Sequence, residues 1–301
     1  MALLFGSLQL GLMYGLLAMG IYISFRILNI PDLTAEGSFT LGVAASAMAT
    51  LSGSPWLGLA FAFLCGMAAG AVTGLLQTKV GIHAILAGIL TMSGLYTINL
   101  AVMGASSNVS LIGKPTLFQQ LFTALAPLGK DGVKLLVGGA LAILVLLALI
   151  WFFKTHLGLC IRATGDNEAM VRSSSINSSA MKIAGLAVSN GCIALSGGIV
   201  AQYQGYADIT SGIGILVVGL ASVIIGEAFF GKRGVTLGLL SAIVGSVIYR
   251  VIISLALSTN VFPTYFLKLI SAVIVAVALS IPTVRENMRK RRIRREGKSH
   301  A

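Results

Sequence analysis

The chain has 301 residues, of which 56% are hydrophobic and only 10% charged. A soluble domain of this size carries about a quarter charged residues, so an aqueous globular fold is excluded and bilayer hydrocarbon is the solvent. The net charge of +12 does not indicate nucleic acid: eight of the 21 basic residues fall in the terminal run from Arg285 to Lys298, and most others flank apolar runs, as topology signals do.

Taken in order, Met1–Ile23 has neither a basic start nor a small-residue cleavage site. It is read as a first span, about Ala2–Ile23, closed by Arg26, and not as a removed signal. Leu28-Asn-Ile-Pro-Asp-Leu-Thr-Ala-Glu-Gly-Ser-Phe39 is too polar for a plain span and too apolar for a plain loop. Pro31 is suited to open a helix there, and Gly37 to let another backbone approach closely. Span two then runs to about Leu51, span three over about Trp56–Gln77 and span four over about His83–Met103, with short turns between them. A long connection, Gly104–Val133, leads to span five at about Lys134–Phe153.

A polar interruption follows, Leu157–Asn177, within a loop of about 157–179. It reads as a short amphipathic helix: Asn167 is a good N-cap, Glu168 complements the positive helix start and Arg172 the negative end. Ala169, Met170, Val171 and Ile176 give it a small apolar face. Spans six to nine follow at about Ala180–Gln202, Gly212–Phe230, Gly234–Leu257 and Pro263–Val284. The fold class is therefore an all-α polytopic integral membrane protein with about nine spans. Residues 1–284 form the membrane domain and 285–301 a basic tail, which also suits anionic lipid.

Nine spans put the termini on opposite sides. With the tail cytoplasmic and the N-terminus outside, 16 of the 21 basic residues lie on the inner side, so the 157–179 loop is cytosolic.

Catalytic chemistry has no recognisable constellation. There is no GxxxxGK followed by Ser or Thr, and His83, His156 and His300 lack an acid and nucleophile at useful spacing. Cys65, Cys160 and Cys192 form no CxxC or Cys/His cluster, so neither a metal site nor a structural disulfide is expected.

Polar residues at membrane depth are the remaining candidates. Asn29, Asp32 and Glu36 either sit in an ordinary interfacial loop or mark a broken approach to span two that lines the translocation path; irregular backbone is tolerated at that depth only against protein or water. Ser189 and Asn190, with Ser196 and Gln202, either line the path or act as helix–helix glue. Arg250 and Lys268, toward the outer side, either snorkel to headgroups or form a positive rim that meets a carboxylate or a docking protein. A short likeness between Ala35-Glu-Gly-Ser-Phe and Ile225-Gly-Glu-Ala-Phe is too brief to establish related halves.

The run Arg162-Ala-Thr-Gly-Asp-Asn-Glu-Ala-Met-Val-Arg-Ser-Ser-Ser-Ile-Asn177 resembles the cytosolic coupling loop of ABC importer permeases of the branched-chain amino acid, ribose and nucleoside group, R-A-x-G-x-N-x-x-A-A-x-x-x-G-I-N. Met170, Val171 and Ser175 depart from that pattern, the last replacing the usual Gly, so the exit turn is expected to differ. Leu28–Gly42 is similar to the group's second-span approach, and Val218–Gly234 to its late Gly-rich segment, with Glu227 where Gly is usual and Lys232 and Arg233 as nearby partners.

The resemblance implies a type II-like permease without catalytic residues, metal or cofactor of its own, ATP and magnesium belonging to a partner ATPase. A second copy, most simply a homodimer, completes the pathway in the plasma membrane. A cytosolic ABC ATPase grips the loop through Arg162, Gly165, Asp166, Asn167, Glu168, Arg172, Ile176 and Asn177, and an extracytoplasmic binding protein delivers a small polar solute. The overall look is closest to amino-acid, possibly aromatic, uptake systems. The competing reading is a secondary transporter or channel working without ATP, which would need acids near the bilayer centre; spans three to six have none.

Overall fold

A computed structural model describes residues 2–124, 129–231 and 234–258, with isolated helical positions at 269, 272, 273, 276 and 280. The expected span nine, Lys268, Lys232, Arg233 and the basic tail lie outside the described residues. The first helix, α1 (Ala2–Tyr22), continues through a π turn at Ile23–Ile27. It is followed by α2 (Thr34–Leu51), α3 (Pro55–Thr78) and α4 (Ala84–Val102), then a short strand β1 (Asn108–Ser110) and α5 (Leu117–Ala124). The second half holds α6 (Gly129–Lys154), α7 (His156–Asp166), α8 (Glu168–Ser173), α9 (Ser178–Gln204), β2 (Tyr206–Asp208), α10 (Ile215–Phe230) and α11 (Gly234–Ser258).

Local signals account for several ends. Pro55 occupies the first turn of α3, where its missing N–H is harmless. Asn177 caps α9 by accepting the Ala180 amide at 3.1 Å, and Gly205 ends that helix in the left-handed region at φ 78°.

The bundle is organised around α9. In its most apolar stretch 78% of residues are buried, against 28% for α4, which places α9 at the core and α4 at the periphery. Small residues allow the close packing: a Cβ at Gly42 would strike the Ala194 carbonyl, and one at Gly70 the Leu186 carbonyl. Hydroxyls supplement it. Ser189 Oγ donates to the Gly20 carbonyl (2.7 Å), Ser196 Oγ to that of Met13 (2.8 Å) and Ser46 Oγ to that of Gly198 (3.0 Å). Gln202 donates to Ser46 Oγ and the Pro55 carbonyl, both at 2.9 Å, and accepts the Leu117 amide at 3.0 Å. At one end of the bundle β1 and β2 pair antiparallel, Asn108 opposite Asp208 and Ser110 opposite Tyr206; α7 and α8 lie at the other.

Six described helical segments are long and apolar enough to cross a membrane: Leu4–Ile27, Pro55–Thr78, Ala84–Val102, Gly129–Lys154, Ser178–Gln204 and Gly234–Ala256. Spans one, three, four, five, six and eight correspond to them, whereas spans two and seven become helices of 18 and 16 residues that do not meet that standard. α2 is long enough but carries Glu36 and several Thr, Ser and Gly, whereas α10 is too short. Leu28 packs at Gly185 and Asp32 meets Asn190, close to the midpoint of α9, so the chain at 28–33 advances about 7.5 Å along α9 without helix before α2 begins. Likewise the chain after β2 returns into the bundle until the Gly214 amide reaches Glu36, and α10 begins there. Two irregular segments thus consume depth that a full helix would fill. Pro31 does not open α2; the helix starts at Thr34, whose amide donates to Asp32 Oδ1 at 2.9 Å.

Candidate functional site

The interruption between α6 and α9 is more ordered than its polarity suggests. Instead of one short helix in a loop it holds two, α7 and α8. Thr155 caps α7 through the Gly158 amide at 3.4 Å, and Asn167 caps α8 by accepting the Met170 amide at 3.1 Å. A side-chain oxygen at this position satisfies an amide that the first helical turn would leave without a partner.

Around α8 the charges form a network. Glu168 pairs with Arg172 one turn on and with Lys182 of α9, each at 2.7 Å, while Arg172 Nε donates to Ser178 Oγ at 3.1 Å. The Lys182 hydrogen bond above all, with that from Arg172, holds the Glu168 carboxyl below the usual carboxylate range against the opposing effect of burial. Of the apolar face only Val171 is buried; Met170 is 67% exposed and Ala169 also faces outward. Asp166, Arg172 and Asn177 are exposed, and Ile176 and Arg162 are half-buried. The exit turn keeps the shape that Gly would favour, because Ser175 itself adopts φ 58°.

Gly165 has a different task. A Cβ there would fall inside contact distance of the Ile27 carbonyl oxygen, so only Gly lets α7 lie against the π turn that ends α1. Beyond that turn Leu28 packs at Gly185 of α9, and Asn29, exposed and left-handed at φ 56°, reverses the chain toward Asp32. The loop and the irregular approach to α2 are thus in direct contact.

Asp32 is 1% exposed, not a solvated interfacial acid. Its two oxygens accept the Thr34 amide and Asn190 Nδ2 (2.6 Å), so it both caps α2 and ties that helix to α9. Glu36, one turn further, accepts the Gly214 amide through Oε1 at 3.0 Å, joining the start of α2 to the start of α10. Ser189 is fully buried and spends its hydroxyl on Gly20, which is the glue role. Asp32, Glu36, Ser189 and Asn190 are therefore brought into one region of the bundle, while Asn29 stands apart at the turn.

The remaining charges were only partly legible. Glu227 pairs with Arg26, 201 residues away in sequence, which ties the end of α10 to the π turn. Lys232 and Arg233, the partners that local proximity suggests for Glu227, lie outside the described residues. A polar cavity of about 390 Å³ lies there, lined by Tyr22, Arg26, Arg162, Asp166 and Glu227. The Arg250 guanidinium lies 3.9 Å from the Tyr14 ring centroid, and Tyr14 in turn stacks on Phe39 at 6.1 Å.

Sequence reasoning missed Thr40, Ser93, Tyr96 and Asn99. With Glu36, Met92, Ile209 and Ile213 they line a second cavity, of about 380 Å³, between α2, α4 and the segment before α10. The hydropathy of α4 hid Ser93, Tyr96 and Asn99, since a span with few polar residues reads as lipid-facing.

Known proteins are similar to this chain over most of its length. The tyrosine transport system permease protein of Clostridioides difficile (strain R20291) is 39% identical over 281 residues, 93% of this chain and 91% of the relative. An uncharacterised protein of Rickettsia prowazekii (strain Madrid E) is 33% identical over 93% of this chain and 98% of its own length. The autoinducer 2 import system permease protein of Yersinia pestis is 26% identical over 78% of this chain and 64% of the relative. No solved structure matches. Residues 3–278 match the family described as branched-chain amino acid transport system, permease component, and the chain belongs to that family of membrane permeases.

Proposed function

We propose that the chain is the pathway-forming subunit of an ATP-driven importer for an aromatic amino acid, tyrosine first among candidates, in the plasma membrane. Two copies enclose the pathway, each in a type II-like arrangement of about nine spans with the N-terminus outside. A cytosolic ATPase seats on α7 and α8 of each copy, and an extracytoplasmic binding protein delivers the substrate to the β1–β2 end. The basic tail lies on the cytoplasmic face, against anionic lipid.

The observation that carries the reading is the pairing of a rigid, exposed α8 with the Gly165–Ile27 contact. A capped, ion-paired helix that presents Met170 to solvent is a compact knob for a groove in a moving partner. Through Gly165 that knob bears on the π turn, and so on the segment that leads to Asp32 and Glu36. Push at α7 and α8 is then transmitted to the two helix starts that meet inside the bundle. Support for the substrate comes from the named function of the tyrosine transport relative.

The test is co-purification. Expressed with the genes of its transport system, the chain retains an ATPase subunit, and deleting residues 166–174 releases that subunit while the chain stays in the membrane. Retention of the ATPase by the deleted form, or its absence from the intact one, overturns the assignment of the loop.

One observation favours the competing, ATP-independent reading. Asp32 places an acid at mid-bundle, as an ion-coupled transporter requires. Both of its oxygens are nevertheless engaged in holding α2, and uptake driven by an ion gradient in the absence of ATP is the result that would revive that reading.

A further inference from the structure

A helix that borders lipid presents apolar side chains to it, and α3 and α6 do so. Over 56–75 and 136–151 every exposed residue is apolar, Phe61, Leu64, Val72, Ile143, Leu144 and Leu147 among them. The middle of α4 breaks that pattern. Ser93 is the central residue of its 19, and Ser93, Tyr96 and Thr97 are all exposed, Tyr96 by 56%. At 1.5 Å per residue the three lie within about 6 Å of the helix midpoint, deep in the hydrocarbon layer. Neither the Ser93 nor the Thr97 hydroxyl has a hydrogen-bond partner among the described residues. The buried Thr73 and Thr91 instead return theirs to the Ala69 and Ala87 carbonyls of their own helices, at 3.2 and 3.0 Å. A hydroxyl facing lipid has only its own helix to bond to; one facing water has no such need.

The three hydroxyls share one face. At about 100° per residue, Tyr96 and Thr97 fall within about 60° of Ser93, one on either side. Ser93 and Tyr96 also line the cavity of about 380 Å³ to which α2 contributes Glu36 and Thr40, so the polar stripe continues onto a neighbouring helix. The other exposed flank of α4 is apolar. Ile98 stands on it, about 140° round the helix from Ser93, with Leu90 and Ala101 nearer. Lipid suits that flank and water the hydroxyl face. A single copy leaves the hydroxyl face open. In a symmetric pair each copy presents the same surface to the two-fold axis. Two such faces enclose a wetted space, whose hydroxyls can exchange with the water bound to a passing polar solute.

We infer that the face of α4 bearing Ser93, Tyr96 and Thr97 is a wall of the translocation pathway, wetted at mid-depth and turned toward its counterpart in a second copy. The inference rests on the reading that two copies enclose the pathway, and adds the surface that each contributes. The solute class it passes is small and polar.

The experiment introduces Ser93→Cys, Thr97→Cys and Ile98→Cys singly into the transporter assembled with its ATPase in lipid vesicles. Each is treated with a charged methanethiosulfonate that does not enter lipid. The unsubstituted chain, whose Cys65 is half-buried and whose Cys160 and Cys192 are buried, gives the background. A thiol reacts as its thiolate, which water permits and lipid suppresses, so positions 93 and 97 should label at least about 10-fold faster than position 98. Modification at 93 should also block tyrosine uptake, and modification at 98 should not. Retention of the ATPase establishes that each variant is assembled. Labelling at 93 and 97 no faster than at 98 means that lipid or protein covers the face, and overturns the inference. A disulfide between copies at position 93 without labelling marks a dry contact and overturns it too, as does fast labelling that leaves uptake unhindered. The two readings fail separately: tyrosine uptake with slow labelling at 93 and 97 removes the wall alone, while fast labelling in a transporter that takes up no tyrosine removes the substrate reading and keeps a wetted face.

Discussion

At Asp32 a carboxylate is held away from water by two donors, the Thr34 amide and Asn190 Nδ2. Removing the second leaves one oxygen of a buried carboxyl without a donor, a loss of about 1.5–3 kcal/mol. Asn190→Leu is therefore expected to lower stability by about 1.5–3 kcal/mol, read as a fall in the thermal midpoint of the purified transporter; a loss below about 0.5 kcal/mol would show that Asp32 does not depend on this contact. Gly165→Ala is a test of a different kind, since the added methyl meets the Ile27 backbone and neither main chain can yield cheaply. It should separate α7 from the π turn, and protease sensitivity near residue 165 should rise while α9 stays protected. Ser175→Gly relieves a left-handed residue and is expected to stabilise by up to about 1 kcal/mol. Legibility at this scale followed sequence distance. The Asn167 cap was readable because cap and amide are three residues apart, and the Arg26–Glu227 pair was not, because the partners are brought together only by the packing of α1 and α10.

Among the elements, α8 has six residues, too few for a helix to persist on propensity alone. Its cap and the Glu168 network supply what length does not. Glu168 titrates below the ordinary carboxylate range in the folded chain, so it binds fewer protons there than in the unfolded chain. Its contribution is whole near neutrality and above, and is lost as pH falls through the lowered value. Amide exchange over residues 168–173 should accordingly accelerate at acid pH. Lys182→Met should bring the onset to higher pH, and an unchanged exchange profile in that variant would mean the network does not hold the helix. The long apolar helices were legible from hydropathy, because lipid-facing and buried faces are both apolar. The elements that were not, α5, α7 and the β1–β2 pair, are short, and the pair joins segments nearly a hundred residues apart. The later start of α10 was hidden for a related reason: an apolar run looks the same whether it starts at a bilayer surface or halfway through.

In the whole molecule, α9 is the fixed axis against which two partial helices begin, one approached from each end of the bundle. The loop of α7 and α8 touches the first approach through Gly165, and Glu36 links the first to the second. On the proposed function, this arrangement carries movement at one end of the chain to the middle of the bundle. Membership of the permease family shows the class of machine. Its drive is tested most directly by tyrosine uptake into proteoliposomes holding the assembled transporter, with binding protein supplied on the side of β1 and β2 and ATP on the side of α8. The account predicts concentrative uptake that requires ATP and is reduced at least about 10-fold by Asn167→Ala, with assembly retained. Uptake that continues without ATP and follows a proton or sodium gradient would contradict it.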